Sequence, residues 1–165
     1  MTSTILVVDD ELLLERLLQL RFRKKIRDRQ LEFVFAHNGR EALEKLLSDR
    51  QFDMVLTDLN MPEMDGFTFL EQLQAIDSHL PAVVMSADDD LTSMKTAMNR
   101  GAFDFVTKPI DFHALEVKIS KTIEHVRQMK ATMTAATVSE QSSVTSSFAS
   151  VLDVPPRPGQ SQGAE

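Results

Sequence analysis

Cysteine is absent from the 165 residues, which excludes disulfides, thiolate metal sites and cysteine nucleophiles and leaves stability to a packed core. No apolar run approaches the roughly 18 residues of a membrane span. The start, Met1-Thr2-Ser3-Thr4, has no basic region leading into a short apolar stretch, so a cytoplasmic protein that is not exported is expected. Positive charge is also short. Eighteen Lys and Arg against 25 Asp and Glu leave a net charge of −7, which speaks against direct nucleic-acid binding. The one basic cluster, Arg21-Phe22-Arg23-Lys24-Lys25-Ile26-Arg27, reads as a solvated helix end. No internal repeat is visible, and no histidine or cysteine cluster offers a site for a soft metal.

What is present is a composition close to globular average, 42% hydrophobic and 26% charged, and a length suited to one domain with a tail. Short apolar runs alternate with amphipathic stretches from residue 4 to about 130, the pattern of βα units around a parallel sheet. The strands are expected at Ile5 to Val8, Phe33 to Ala36, Met54 to Thr57, Ala82 to Met85 and Phe103 to Val106, each apolar enough to be buried on both faces. A first helix carries Leu13, Leu17 and Leu20 as one stripe. A second opens with Asn38 as N-cap and Glu41 three residues on, like a capping box. A third runs from about Phe67 through Leu70, Leu73 and Ile76, a fourth from about Leu91 to Asn99 with Gly101 as its stop, and a fifth from Asp111 onward.

After about residue 130 the composition shifts. Residues 131 to 165 hold eleven Ser or Thr, three of the six prolines and only four charged residues. The expected organisation is a domain at 4–127, a helical extension at 128–138, and a Ser/Thr/Pro-rich disordered linker or tail at 139–165. The tail is too short for an output module, which leaves a stand-alone domain or the front part of a longer regulator.

The charged and small polar residues that packing does not explain fall where strands run out. Asp9 and Asp10 follow the first strand, Asp58 the third, Ser86 the fourth and Lys108 the fifth. Ligand sites in open parallel sheets lie outside the carboxyl ends of the strands, so these residues converge on one crevice. Three carboxylates and one lysine leave about two negative charges uncompensated, which a hard, oxygen-binding cation such as magnesium would relieve. Each residue also has a plainer reading: Asp9-Asp10-Glu11 and Ser86 as helix caps, Lys108 before Pro109 as a surface turn, Asp58-Leu59-Asn60 as a loop. Those readings must all hold together for the crevice to be an accident.

The motifs Ile5-Leu6-Val7-Val8-Asp9-Asp10-Glu11, Ala36-His37-Asn38-Gly39-Arg40-Glu41-Ala42-Leu43, Asp58-Leu59-Asn60-Met61-Pro62-Glu63-Met64-Asp65-Gly66, Ser86-Ala87 and Gly101-Ala102-Phe103-Asp104-Phe105-Val106-Thr107-Lys108-Pro109 resemble, in order and spacing, the receiver domains of two-component response regulators, including those of chemotaxis. The resemblance covers about residues 4 to 127. It implies a flavodoxin-like (βα)5 fold, a doubly wound five-stranded parallel sheet of order 2-1-3-4-5. It makes Asp58 the phosphoacceptor, with Asp9, Asp10, Asp58 and the Asn60 backbone carbonyl binding Mg2+, for which Mn2+ is a possible substitute. Ser86 and Lys108 would contact the phosphoryl oxygens, Ser86 and Phe105 would act as the switch, and the Lys108–Pro109 peptide would be cis.

The implied donor is a sensor histidine kinase or phosphotransfer protein. The only implied chemistry is self-catalysed phosphoryl transfer and autodephosphorylation, with Asp88-Asp89-Asp90 expected to affect phosphoryl lifetime. A haloacid-dehalogenase-like phosphatase would place its nucleophile on the first strand in an Asp-x-Asp pattern that Asp9-Asp10-Glu11 departs from. A pseudo-receiver binding partners without phosphorylation would be expected to lack Asp58, Lys108 or the acidic pair. Finally, Phe112, Leu115, Ile119, Thr122, Val126, Met129, Met133 and Ala136 follow heptad a/d spacing. Beyond its packing on the sheet, this seam suggests a homodimer through the fourth helix, fifth strand and fifth helix, or a lead into an output domain or target. The competing reading is a helix that frays after Met129, where threonines are poor helix formers.

Overall fold

The computed structural model describes residues 2–61, 63–87 and 91–152, with side chains as far as residue 132. The element order is β1 (Ser3–Val8), α1 (Leu12–Arg21), α2 (Arg23–Arg27), β2 (Leu31–Ala36), α3 (Gly39–Leu46), β3 (Met54–Asp58), α4 (Gly66–Ile76), β4 (Ala82–Ser86), α5 (Leu91–Asn99), β5 (Asp104–Thr107) and α6 (Phe112–Leu152). All strand pairs are parallel, in the order β2-β1-β3-β4-β5. The chain divides into two compact units, Met1–Val126 and Arg127–Glu165. Among the described residues no helix is long and apolar enough to cross a membrane.

Strand alternation builds two cores from one sheet, because successive side chains point to opposite faces. Ile5, Val7, Met54, Leu56, Val83 and Met85 meet Leu14 and Leu18 of α1 and Leu115, Ile119 and Ile123 of α6 on one face. Leu6, Val8, Val55, Ala82 and Val84 meet Ala42 of α3, Phe69, Leu70 and Leu73 of α4 and Ala97 of α5 on the other. Each fully buried Leu, Ile or Phe contributes about 1.5–3 kcal/mol against the entropy of ordering the chain.

Three expectations need correction. The stripe Leu13, Leu17, Leu20 does not face the core: these residues are 65%, 37% and 67% exposed, while Leu14 and Leu18 are buried and Phe22 continues their line at 2%. Leucine at 12, 13, 14, 17, 18 and 20 covers most of the helix circumference, so periodicity could not choose the buried face. Burial on both faces holds for the interior strands β1, β3 and β4, but β2 and β5 lie at the sheet edges and are only half covered. The fifth strand also starts one residue later than expected, leaving Phe103 outside it and 36% exposed.

Asn38 caps α3 as expected, its side chain accepting from the Glu41 amide at 2.8 Å. Glu41 reaches back to the amide of His37 at 2.9 Å, one residue before the cap, so the reciprocal bond is displaced from a standard capping box. In the basic cluster α2 buries none of its residues, while Lys25 pairs with Glu116 at 2.9 Å. Gly101 follows α5 with φ +101. The last helix continues to Leu152, past the expected extension and into the stretch read as tail. Ser and Thr weaken a helix by only a few tenths of a kcal/mol each, and no proline interrupts before Pro155. Residues 153–165, the Asp88-Asp89-Asp90 run and the Met133 and Ala136 side chains lie outside the described residues.

Candidate functional site

Each site residue is placed by the strand it ends. The Asp9 amide donates to the Ala36 carbonyl at 3.0 Å, which extends the β1 ladder by one residue and turns the Asp9 side chain into the crevice. Its Oδ1 accepts from the Glu11 amide at 2.8 Å. Asp58 is the last residue of β3, and its Oδ1 accepts from the Asn60 amide at 3.1 Å. Thr57, fully buried beside it, donates its hydroxyl to the Asp58 carbonyl at 3.1 Å, a contact that nothing in the motif spacing marks out. The Lys108 amide donates to the Ser86 carbonyl at 2.8 Å, and the Lys108–Pro109 peptide is cis.

From there the Lys108 ammonium reaches across the crevice, donating to Asp58 Oδ2 at 3.0 Å and Asp9 Oδ2 at 3.3 Å. Asp9, Asp58 and Ser86 are 6%, 4% and 3% exposed, whereas Asp10 is exposed. One carboxylate oxygen from each of Asp9, Asp10 and Asp58 lies within 4.8 Å of the others. Asn60 contributes its amide to Asp58 as described, and Phe105 is half-buried against the second core. The structure thus brings Asp9, Asp10, Asp58 and Lys108 together at one crevice, with buried Ser86 joined to Lys108 through its backbone carbonyl.

Burial pushes the Asp9 carboxyl above its ordinary pKa, with the Asp58 charge adding to the effect and the Glu11 amide and Lys108 opposing it. For Lys108, burial works against the charge, but the hydrogen bond and charge of Asp58, joined by Asp9, outweigh it and hold the pKa above the ordinary lysine value. The pocket therefore carries more carboxylate than its one ammonium compensates. An all-oxygen donor set of three carboxylates within 4.8 Å fits a hard divalent cation, and no nitrogen or sulfur ligand stands among them.

Beside this crevice lies a cleft of about 360 Å³ between α1 and the segment after β5, lined by Glu11, Leu13, Leu17, Lys108, Ile110 and Phe112 among others. The exposed leucines of α1 thus have a place in the site region that their expected core role concealed.

The family model of the response regulator receiver domain matches residues 5–120. This chain belongs to the response regulator receiver family. The receiver is 34% identical over 136 residues to the transcriptional regulatory protein ZraR of Escherichia coli O157:H7, a match covering 82% of the chain and 30% of that protein. It is 36% identical over 93 residues to the DNA-binding transcriptional regulator NtrC of Escherichia coli K12, covering 56% of the chain and 20% of that protein. The chain thus spans less than a third of the length of these curated relatives. Among solved structures, the signal receiver domain of an HD domain-containing protein from Pseudomonas fluorescens Pf-5 superposes with a TM-score of 0.68 at 25% identity, over 78% of this chain and 92% of that one. A chain described as adenylate cyclase from Rhodopirellula baltica superposes with a TM-score of 0.74 over 83% of this chain and 98% of its own; at 22% identity it shows the fold alone.

Proposed function

We propose that this receiver accepts a phosphoryl group on Asp58 from a phosphohistidine of a sensor histidine kinase or phosphotransfer protein. The observation that carries the reading is the buried Asp58 carboxylate held 3.0 Å from the Lys108 ammonium, with Asp9 and Asp10 beside it. An Asp58 oxygen forms the new O–P bond as the P–N bond to the donor imidazole breaks, and the electron pair leaves on that nitrogen. The attacking group is a carboxylate, so no side chain has to remove a proton. The Asn60 amide and Lys108 hold the two Asp58 oxygens in a fixed orientation, which favours in-line attack. Lys108 and Ser86 would then supply the phosphoryl oxygens with a cationic and a hydroxyl partner.

Asp9, Asp10 and Asp58, with the Asn60 backbone carbonyl, would hold Mg2+ or in its place Mn2+, which when bound neutralises charge on the transferring phosphoryl group. Water entering the same pocket would later hydrolyse the acyl phosphate. The apolar ledge of Leu13 and Leu17 beside the cleft fits the helical surface of a phosphodonor. A phosphatase of the haloacid-dehalogenase kind loses its support, since the family match and the buried carboxylate on β3 both point elsewhere. Retention of Asp58, Lys108 and the acidic pair in one crevice likewise argues against a phosphorylation-independent binding module.

The signal would leave through α5, β5 and α6, toward a second copy, an output domain or a target protein. Of the heptad seam, Leu115, Ile119, Thr122 and Val126 are buried in the domain's own unit, so a dimer would have to pair through what remains. Light scattering of residues 1–165 and 1–127, with and without fluoroberyllate, tests that step; a monomer in all four samples removes the homodimer. The central experiment is mass spectrometry after incubation with acetyl phosphate and Mg2+. One base-labile phosphoryl group is expected, lost in Asp58→Asn and with chelator. Undiminished labelling of Asp58→Asn would overturn the assignment.

A further inference from the structure

The family motifs do not include the ammonium of Lys118, on the second turn of α6, yet it makes three contacts at β5. It lies 4.9 Å from the centroid of the Phe105 ring, donates to the Phe105 carbonyl, and pairs with Asp104 Oδ1 at 3.3 Å. The same Asp104 oxygen accepts the Phe105 amide at 2.8 Å. Backbone amide, backbone carbonyl and ring of one residue are therefore tied to a single Lys–Asp pair. The Lys118 side chain is 30% exposed, so its charge is partly desolvated and its attraction to the ring face is stronger than in open solvent.

An ordinary edge-strand ion pair would need only Asp104 and Lys118. The ring contact is additional, and it is directional: an aromatic ring is attractive to a cation over its face and not at its edge. A Phe105 ring that rotates on its Cα–Cβ bond must give up that face while the backbone contacts of Lys118 stay in place. The latch thus acts on the rotamer of Phe105 more than on the path of β5.

We propose that Lys118 is a positioning residue that latches the Phe105 ring in its unphosphorylated orientation and so raises the threshold for switching. This rests on the reading of Asp58 as phosphoacceptor and on the expectation, carried by the family resemblance, that Phe105 is part of the switch, here through rotation of its ring. Thr122 supports the latch at one remove, its hydroxyl donating to the Lys118 carbonyl at 2.7 Å within α6. Release of Lys118 frees the ring to turn while leaving every group at the Asp58 crevice in place.

The chain contains no tryptophan and no tyrosine, so Phe105→Trp in the full 165-residue protein gives a single indole emitter at the position in question. Indole is also the strongest ring partner for a cation, so the latch survives the reporter substitution. Fluoroberyllate with Mg2+ is titrated into this parent and into its Lys118→Met, Lys118→Gln and Lys118→Arg derivatives, following emission. Lys118→Met and Lys118→Gln are expected to reach half-saturation at about two- to fivefold lower fluoroberyllate, the range set by a partly exposed cation–ring pair. Their emission before addition should already be displaced toward the bound value. Lys118→Arg, which keeps charge and ring contact, should stay near the parent. Equal half-saturation in parent and Lys118→Met, or an equal decrease in Lys118→Arg, overturns the latch. An indole that never responds, while mass spectrometry finds the phosphoryl group on Asp58, overturns it and leaves the acceptor assignment standing. If the parent takes up no phosphoryl group at all, both fall.

Discussion

Gly66→Ala probes how the fold holds the acceptor carboxylate. Gly66 opens α4, and its amide donates to the Leu59 carbonyl at 2.9 Å, so the helix start presses directly on the residue that follows Asp58. A Cβ at this position would lie 2.5 Å from Leu59 Cα, 2.7 Å from the Asp58 carbonyl oxygen and 2.9 Å from Leu59 Cδ2. Only the last of these atoms can swing away. The other two are backbone, anchored by the Leu59 amide on the Met85 carbonyl at 3.0 Å and by the β3–β4 ladder. Either α4 must shift outward or the end of β3 must move with Asp58 on it. Overpacking of this kind costs about 1–3 kcal/mol, against a helix-propensity gain for Ala of at most about 1 kcal/mol. With a urea m-value of about 1–3 kcal/mol/M, the unfolding midpoint should fall by roughly 1 M or somewhat less. Under native conditions acetyl-phosphate labelling should slow by on the order of 10²-fold if the carboxylate moves by about 1 Å. Adding Leu59→Ala should not rescue either property, because it removes only the side-chain clash. An unchanged midpoint with an unchanged labelling rate would show that the loop yields freely, and the account of how Asp58 is positioned would be wrong.

Lys108→Met should destabilise the metal-free protein by roughly 2–3 kcal/mol, because it strips the cation from two buried carboxylates. The wild-type contribution of Lys108, whose pKa is raised on folding, is present below the ordinary lysine value and lost as pH rises through the folded one. Burial raises the Asp9 carboxyl, so its protonation should relieve the mutant's deficit as pH falls through the folded Asp9 value; a melting series from pH 7.5 downward that finds the same deficit at every pH at which both proteins fold would contradict this. Asp10→Asn should weaken Mg2+ binding in calorimetry far more than it changes metal-free melting, since Asp10 is exposed and adds negative charge to the crevice. Asp65 caps α4 by accepting from the Thr68 amide at 2.8 Å, and that hydrogen bond holds its carboxyl below the ordinary range. Asp65→Ala should cost about 1 kcal/mol at pH 7. A depressed acid stabilises above its unfolded pKa, so the difference from wild type should fade as pH drops below about 4 through the folded value; a difference undiminished at pH 2.5 would assign the loss to something other than the charged cap.

The site was legible where it depended on short-range order. Asp9, Asp58, Ser86 and Lys108 sit at or just beyond the ends of short apolar runs, and parallel strands bring such ends to one edge whatever the details of packing. Strand number and the start of α5 followed from the same alternation of periods, whereas the sequence marks the short α2 only as the end of the first helix. The α1 leucines were a different matter: six leucines in nine residues satisfy a helical stripe on several faces, and the choice of Leu14 and Leu18 was made by the line they form with Phe22 against β1. Edge positions of β2 and β5 depend on strand order, which no single strand encodes; the order 2-1-3-4-5 came from the family resemblance and is the order observed.

Composition and spacing by themselves determined that this chain forms a parallel α/β domain with an acidic crevice, because burial of apolar strands and exclusion of charge from the core are local demands that every segment meets on its own. Only the tertiary structure decided that Lys108 bridges Asp9 and Asp58 across 99 and 50 residues, that Gly66 abuts Leu59, and that Lys118 covers the Phe105 ring. Such contacts join elements distant in sequence, and their distances are set by how helices seat on the twisted sheet, a property of the packed whole.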